Sequence, residues 1–316
     1  MFKTFVFSLV LGISLFSLAQ SSSVAALAVT PIKVGAHSYY VRGEAGLASS
    51  ANEGFMSNAG FVVTDEGVVV FDTLGTPVLG QKLVDAIKKI TSRPIKRVIV
   101  SHYHADHIYG LQVFHDLGAE IWAHTSGQEY FGSDAAALLL VQRRETLFPW
   151  VDEKTRLVAA DKWLTGDVDF EMGGLHFVLR HVGPAHAPDD MVMFVKEDGV
   201  LFTGDLIFIG RVPYVGDADS RSWLLAIDKL IAFEPKYLIT GHGTASSTPA
   251  KDLKLTRDYL SYLRKVMGKA VEDFVPFAEA YDKTDWRQFS ELPAFKEGNR
   301  ENAYNTYLLM ERESMK

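Results

Sequence analysis

The chain has 316 residues, of which 47% are hydrophobic and 22% charged, enough to bury one large core or two modest ones. Its net charge of −7 repels phosphate backbones, which argues against nucleic acid as a partner. It has no cysteine, so disulfides, thiolate metal ligands and a lipid on an N-terminal cysteine are all ruled out.

At the N-terminus, Lys3 precedes an apolar run, residues 5–19, interrupted only by Ser8, Ser14 and Ser17. A polar stretch, 20–23, and the small-x-small pattern Ala26-Leu27-Ala28 follow. This pattern predicts a secretory signal peptide over residues 1–28, cleaved after Ala28. The other reading is a membrane anchor, but the run is short for a span of roughly 20 residues. An exported, periplasmic or secreted protein is expected, with no membrane anchor after cleavage.

Two later stretches share one outline. Residues 60–64 and 68–72 read as strands around an acidic-Gly turn, and so do 191–195 and 200–205. Each pair ends in an Asp, Asp72 or Asp205. Each is followed by a predicted helix, 77–90 or 220–233, and then a buried strand, 95–100 or 237–240. Residues 175–182 form a further strand. The pattern is a two-halved α/β fold with strands buried on both faces. An amphipathic helix is expected over 133–144, with Gln142-Arg143-Arg144 on a solvated face. From 249 onward the spacing is helical, with helices expected near 253–267, 270–281 and 302–313 and a frayed end at 311–316. The expected organisation is a catalytic domain, 29–248, and a helical C-terminal extension, 249–316, placed to cover or line the site.

The strand 95–100 runs into His102-Tyr103-His104-Ala105-Asp106-His107, which packs four metal-ligand side chains into six residues. Imidazole nitrogen and carboxylate oxygen both suit zinc, and burying such a group without a metal is costly. A loop is expected here, because on a strand His107 would face away from the other three. More candidate ligands stand at predicted strand ends: His186 after 175–182, Asp205 after 200–203, and His242 between Gly241 and Gly243. The grouping that follows gives one metal to His102, His104 and His186 and a second to Asp106, His107 and His242. Asp205 can bridge the two, and Asp106 is also the candidate catalytic residue. Two zinc ions are expected, with iron or manganese as alternatives. His37, His115, His124, His176 and His181 read as packing or surface residues, His181 being the nearest in sequence to the site.

Asp72, the cluster 102–107, His186, Thr203-Gly204-Asp205 and Thr240-Gly241-His242-Gly243 occur in the order seen in the metallo-β-lactamase-fold superfamily, and the chain resembles that family over residues 36–245. The resemblance implies an αββα sandwich with a dinuclear site at the strand-end edge. It also implies that Asp72 steadies the ligand loop; read on its own, Asp72 is a turn or cap residue. The main zinc β-lactamases carry Cys where this chain has Asp205. Gly183-Pro184-Ala185-His186, Gly204-Asp205-Leu206-Ile207-Phe208 and Gly210-Arg211-Val212-Pro213 resemble exported quinoprotein-relay zinc metallohydrolases, although Ala187-Pro188-Asp189-Asp190 departs from their pattern.

Paired metal ions lower the pKa of a shared water, so the expected reaction is attack by hydroxide on an ester, thioester, lactone or amide of a small molecule. Arg211 could clamp an anionic substrate group, and Tyr214 could donate to a developing oxyanion. The bland alternative is a structured loop with Arg211 in a salt bridge. The rival functions are β-lactam hydrolysis, a nuclease of the same fold, and a non-catalytic metal-binding accessory protein of a periplasmic quinoprotein or sulfur-oxidation pathway.

Overall fold

A computed structural model describes residues 27–216 and 218–315. Most of the expected signal peptide, residues 1–26, lies outside the described residues. Leu27 is held at the start of the described chain, its carbonyl accepting from Lys82 Nζ at 2.9 Å. Among the described residues, no helix is long and apolar enough to cross a membrane.

Two mixed sheets form the centre. The first contains β1 (Ile32–Lys33), β2 (Ser38–Val41), β3 (Ala59–Val63), β4 (Val68–Phe71), β5 (Ile95–Ile99), β6 (Glu120–His124) and β7 (Lys162–Leu164), in that order. Its first four strands pair antiparallel, and β4 through β7 run parallel. The second contains β8 (Val168–Met172), β9 (Leu175–His181), β10 (Met191–Val195), β11 (Val200–Phe202) and β12 (Tyr237–Ile239), in spatial order β12-β11-β10-β9-β8. Only the β11–β12 pair is parallel in this sheet.

Alternation along the strands builds three apolar layers. Val69 and Phe71 face inward, where they meet Met191, Met193, Val200 and Phe202 between the sheets. Val68 and Val70 face outward onto Leu79, Leu83 and Ile87 of the helix Pro77–Ile90. Thr76 caps that helix by accepting from Leu79 N at 3.2 Å, Pro77 opens it, and Lys88 and Lys89 complement its C-terminal dipole. On the far side, Val192, Leu201 and Leu238 pack with Trp223 of the helix Ser220–Ile231 and with Leu260, Leu263 and Met267 of the helix Lys254–Glu272. Helix, sheet, sheet, helix is the expected αββα sandwich.

The C-terminal helices join the outer layer and brace the loop after β11. Thr256 accepts from Phe208 N at 2.9 Å. Asn302 accepts from Val215 N at 2.9 Å and donates to Pro213 O at 2.8 Å. Two expectations in this region fail. The helix expected over 270–281 is broken, because Phe274 takes a left-handed φ of 56° and Pro276 starts a new helix, Phe277–Lys283. The end expected to fray stays helical to Ser314, where Glu313 pairs with Arg264 at 2.7 Å.

Candidate metal centre

Every predicted ligand comes to one edge of the sandwich, just past the ends of β5, β9, β11 and β12. The run expected as a loop is half loop and half helix: His104 precedes the short helix Ala105–Ile108, which carries Asp106 and His107. The helical turn does what the loop was expected to do, bringing His107 onto the same side as the other three, its ring 4.5 Å from that of His102.

In the first cluster, His102 Nε2 and His186 Nε2 lie 2.9 and 3.0 Å from His104 Nδ1. Burial pushes all three imidazoles below their ordinary pKa, His186 to about 3. Three neutral rings therefore aim nitrogens at one point. His102 Nδ1 is 2.9 Å from Ser101 Oγ, and that hydroxyl donates to Asp72 Oδ2 at 2.7 Å. His102 must then carry its proton on Nδ1, which leaves Nε2 as a bare lone pair.

The second cluster is formed by Asp106, His107 and His242. His107 Nδ1 donates to Asp72 Oδ2 at 2.9 Å and His242 Nδ1 to Met56 O at 2.7 Å, so both Nε2 atoms face the site. They stand 3.4 and 3.3 Å from Asp106 Oδ2. The Asp205 carboxylate lies between the clusters: Oδ1 is 3.1 Å from His107 Nε2, and Oδ2 is 3.2 Å from His242 Nε2 and 3.6 Å from His186 Nε2. Against the opposing effect of burial, Asp106 and Asp205 hold His107 well above its ordinary value, and His242 is raised in the same way. The imidazoles in turn hold both carboxyls below theirs.

The donor set fits metal ions. His102, His104 and His186; His102, His107 and Asp205; and Asp106, His107 and His242 each bring their ligand atoms within 4.8 Å of one another. His107 Nε2 and Asp205 Oδ1 are buried without a hydrogen-bond partner, an expensive state that a cation between them would relieve.

Support around the ligands is dense. Asp72 Oδ1 also accepts from Ser101 N at 2.8 Å. Asn58 Nδ2 donates to Thr240 O at 2.7 Å and Gly243 O at 2.9 Å, pinning the His242 turn to the first sheet. Phe208 stacks on His242 at 5.0 Å and Trp223 packs against His186 at 5.1 Å. Sequence reasoning missed Ser101, Met56, Asn58 and Tyr130. Ser101 was discoverable as a hydroxyl directly before the first ligand, but a backbone carbonyl such as Met56 O leaves no trace in residue type.

Arg211 and Tyr214 part company. Arg211 is 2% exposed; it donates to Gly46 O at 3.1 Å, and its Nη1 lies 3.4 Å behind His242 Nδ1. Among the described residues it makes no salt bridge, the other role expected of it. Tyr214 is 45% exposed, with its ring 6.5 Å from His104 and 6.4 Å from His186, at the mouth of the site. Tyr130 stands 6.3 Å from His104 as well. His181 turns away from the site and stacks on His124 at 3.5 Å, where burial and that neighbour push His124 down to about 4.

The family model of the metallo-beta-lactamase superfamily matches residues 52–242, well over half of the chain. Among curated proteins, metallo-beta-lactamase IND-1 of Chryseobacterium indologenes is 27% identical over 217 residues, covering 67% of this chain and 80% of that protein. A linear primary-alkylsulfatase of a Pseudomonas species is 24% identical, over 63% of this chain and 44% of its own length. Among solved structures, metallo-beta-lactamase IND-7 superposes with a TM-score of 0.57 at 21% identity, over 73% of this chain and 97% of that one. The sec-alkylsulfatase Pisa1 from Pseudomonas gives 0.65 at 17% identity, over 89% of this chain and 50% of that one. The matched span begins before Asp72 and closes on His242, so it contains the whole cluster described above, and the chain belongs to the metallo-beta-lactamase superfamily.

Proposed function

We propose that the chain is a dinuclear, zinc-dependent hydrolase of exported location that cleaves an ester, thioester, lactone or amide in a small molecule. The observation that carries this reading is the Asp205 carboxylate, set between two ligand clusters with one oxygen toward His107 and the other toward His186 and His242. His102, His104 and His186 would hold one ion, and Asp106, His107 and His242 the other. When bound, such ions supply Lewis acidity and activate water at neutral pH.

The chain's own residues do the rest. Asp72, Ser101 and Met56 O fix the imidazole tautomers, so that lone pairs rather than N–H groups face the site. The side chain of Asp106 is 22% exposed, against 5% for Asp205, which makes it the carboxylate placed to orient an incoming water. Tyr214, whose ring stands 6.5 Å from that of His104, would donate from its hydroxyl to an oxyanion developing on the substrate. Arg211 stays behind His242 and touches no substrate.

Hydrolysis of a sulfate ester is a second reading, favoured by one observation. The alkylsulfatase likeness extends over 89% of this chain, against 73% for the β-lactamase. Metal analysis of the purified protein, with a panel of a chromogenic cephalosporin, 4-nitrophenyl acetate, an acyl thioester, a lactone and a long-chain alkyl sulfate, tests both readings. About two zinc per chain is expected, with His104→Ala and Asp205→Ala inactive. Less than one metal per chain, or full activity in those variants, would sink the proposal.

A further inference from the structure

Leu27 and Ala28 would leave with the signal peptide if it were cut after Ala28, yet both belong to the folded domain. Leu27, Val29 and Pro31 are half-buried, and Ala28 and Thr30 between them are exposed, the alternation of an extended chain laid on a surface. Leu27 and Val29 pack against the core of the first sheet.

Both backbone groups of Leu27 are held. Its nitrogen donates to Glu53 Oε1 at 3.4 Å, and its carbonyl accepts from Lys82 Nζ at 2.9 Å. Glu53 Oε2 pairs with the same Lys82 Nζ at 2.5 Å. Glu53 is 5% exposed and takes a left-handed φ of 56°, a conformation that a Glu keeps only where its surroundings impose it. Here they do: Gly54 N donates to Ser49 O at 3.0 Å, and Asn52 Oδ1 accepts from Ser49 N at 2.9 Å and Gly54 N at 3.1 Å. Lys82 stands on the helix Pro77–Ile90. A buried loop and a packed helix thus grip a residue that a cut after Ala28 would discard. A peptide nitrogen gives the Glu53 carboxylate one neutral donor near the long end of hydrogen-bond range. An α-amino group at the same place is mostly protonated at neutral pH and makes a charge-assisted bond. Ala26 is small, as the residue before such a cut must be.

We infer that the signal peptide is removed between Ala26 and Leu27, and that Glu53 and Lys82 form a binding site for the new N-terminus, Glu53 taking its ammonium and Lys82 its first carbonyl. The inference rests on the exported reading and moves the cut two residues upstream. Cleavage consumes one water: its oxygen stays on the carbonyl carbon as the Ala26 carboxylate, and the Leu27 nitrogen leaves as an amine, protonated in the clamp. Three residues after Glu53, Met56 O accepts from His242 Nδ1 at 2.7 Å, so the clamp ties the processed end to the loop that supports the second ligand cluster.

The test reads the N-terminus of the full chain, expressed with its own leader in a secreting bacterium, by Edman degradation and intact mass. Leu27 is the expected first residue. A start at Val29 overturns the clamp and leaves the exported reading intact, an uncut chain overturns both, and any other start overturns the clamp. None of these outcomes depends on metal or substrate, so they stand apart from the hydrolase reading. A second measurement compares chains released from a cleavable fusion to begin at Leu27 or at Val29. The Leu27 chain is expected to unfold about 3–5 °C higher. Acetylating its amine, or Glu53→Gln, should each remove part of that margin, and Glu53→Gln should cost less in the Val29 chain, where one partner is already gone. Equal unfolding temperatures for the two chains overturn the clamp.

Discussion

Asp72 Oδ2 accepts from His107 Nδ1 at 2.9 Å, and through Ser101 the same oxygen governs His102. One carboxylate therefore sets the tautomer of a ligand in each cluster. It does so from a left-handed backbone, φ 62°, which Asp tolerates better than most residues and which functional sites often retain. Asp72→Asn accommodates the same backbone but places an amide where two donors converge. We expect metal affinity to fall about ten- to a hundredfold, measured by zinc titration against a chelator. Affinity within twofold of the parent would show that Asp72 is only a turn residue.

Gly241 is a second control point. A Cβ there would fall on the Asp205 carboxylate and within 2.8 Å of Asp205 N. The strand end needs this close approach to bring Asp205 and His242 together. Gly241→Ala should displace Asp205, reduce the metal content of the purified protein and lower activity about a hundredfold or more, by analogy with other misplacements of about an ångström. Full metal occupancy in the variant would count against the central place given to Asp205.

Removing metal should loosen the protein. Without it, five imidazoles and two carboxylates converge with at least two buried atoms unpaired. An ion bound only by the folded state adds about 4 kcal/mol at a thousandfold excess over its Kd. Thermal unfolding with and without chelator should differ by several degrees and recover on adding zinc. Coincident curves would mean that the native fold does not depend on the cluster.

The sequence was most legible where one physical requirement dominated. The helix Pro77–Ile90 has a capping Thr, a Pro at its start and Lys at its end, and its bounds are those expected. The ligands were legible because dense His and Asp at strand ends have few other uses. Tyr130 was not, because a phenol on a short helix looks the same whether it faces solvent or a ligand ring. Arg211 stayed open between two readings for the converse reason, since its proximity in sequence to Asp205 says nothing of which way its long side chain runs. The break at Phe274 was missed because the periodicity continues across it, and only Pro276 marked the stop.

Asn302 links the C-terminal helices to the loop that carries Arg211 and Tyr214. It is 1% exposed and makes bonds to Val215 N, Pro213 O and the Tyr259 hydroxyl at 2.8 to 2.9 Å. Asn302→Ala strands a buried backbone donor and acceptor, so a loss of about 2–4 kcal/mol in urea unfolding is expected. If Tyr214 assists the reaction, kcat should fall as well while metal content holds. A variant as stable as the parent would show that these bonds are readily replaced by water.

Asp189 supplies a pH dependence. Its Oδ2 accepts from Tyr103 N at 3.0 Å, but burial, with Asp72 nearby, pushes its carboxyl up to about 6 from 3.8. A folded value above the unfolded one means that the native state favours the protonated form. The cost of ionisation is absent below about pH 4, grows as pH rises to about 6, and is constant above, reaching about 3 kcal/mol. Asp189→Asn keeps an acceptor for Tyr103 N and cannot ionise. In metal-free protein, its stability relative to the parent should therefore rise between pH 4 and 7 and then level off. A difference that is flat across that window, or one in which the parent gains as pH rises, would place the Asp189 carboxylate in a far more polar setting than its burial indicates.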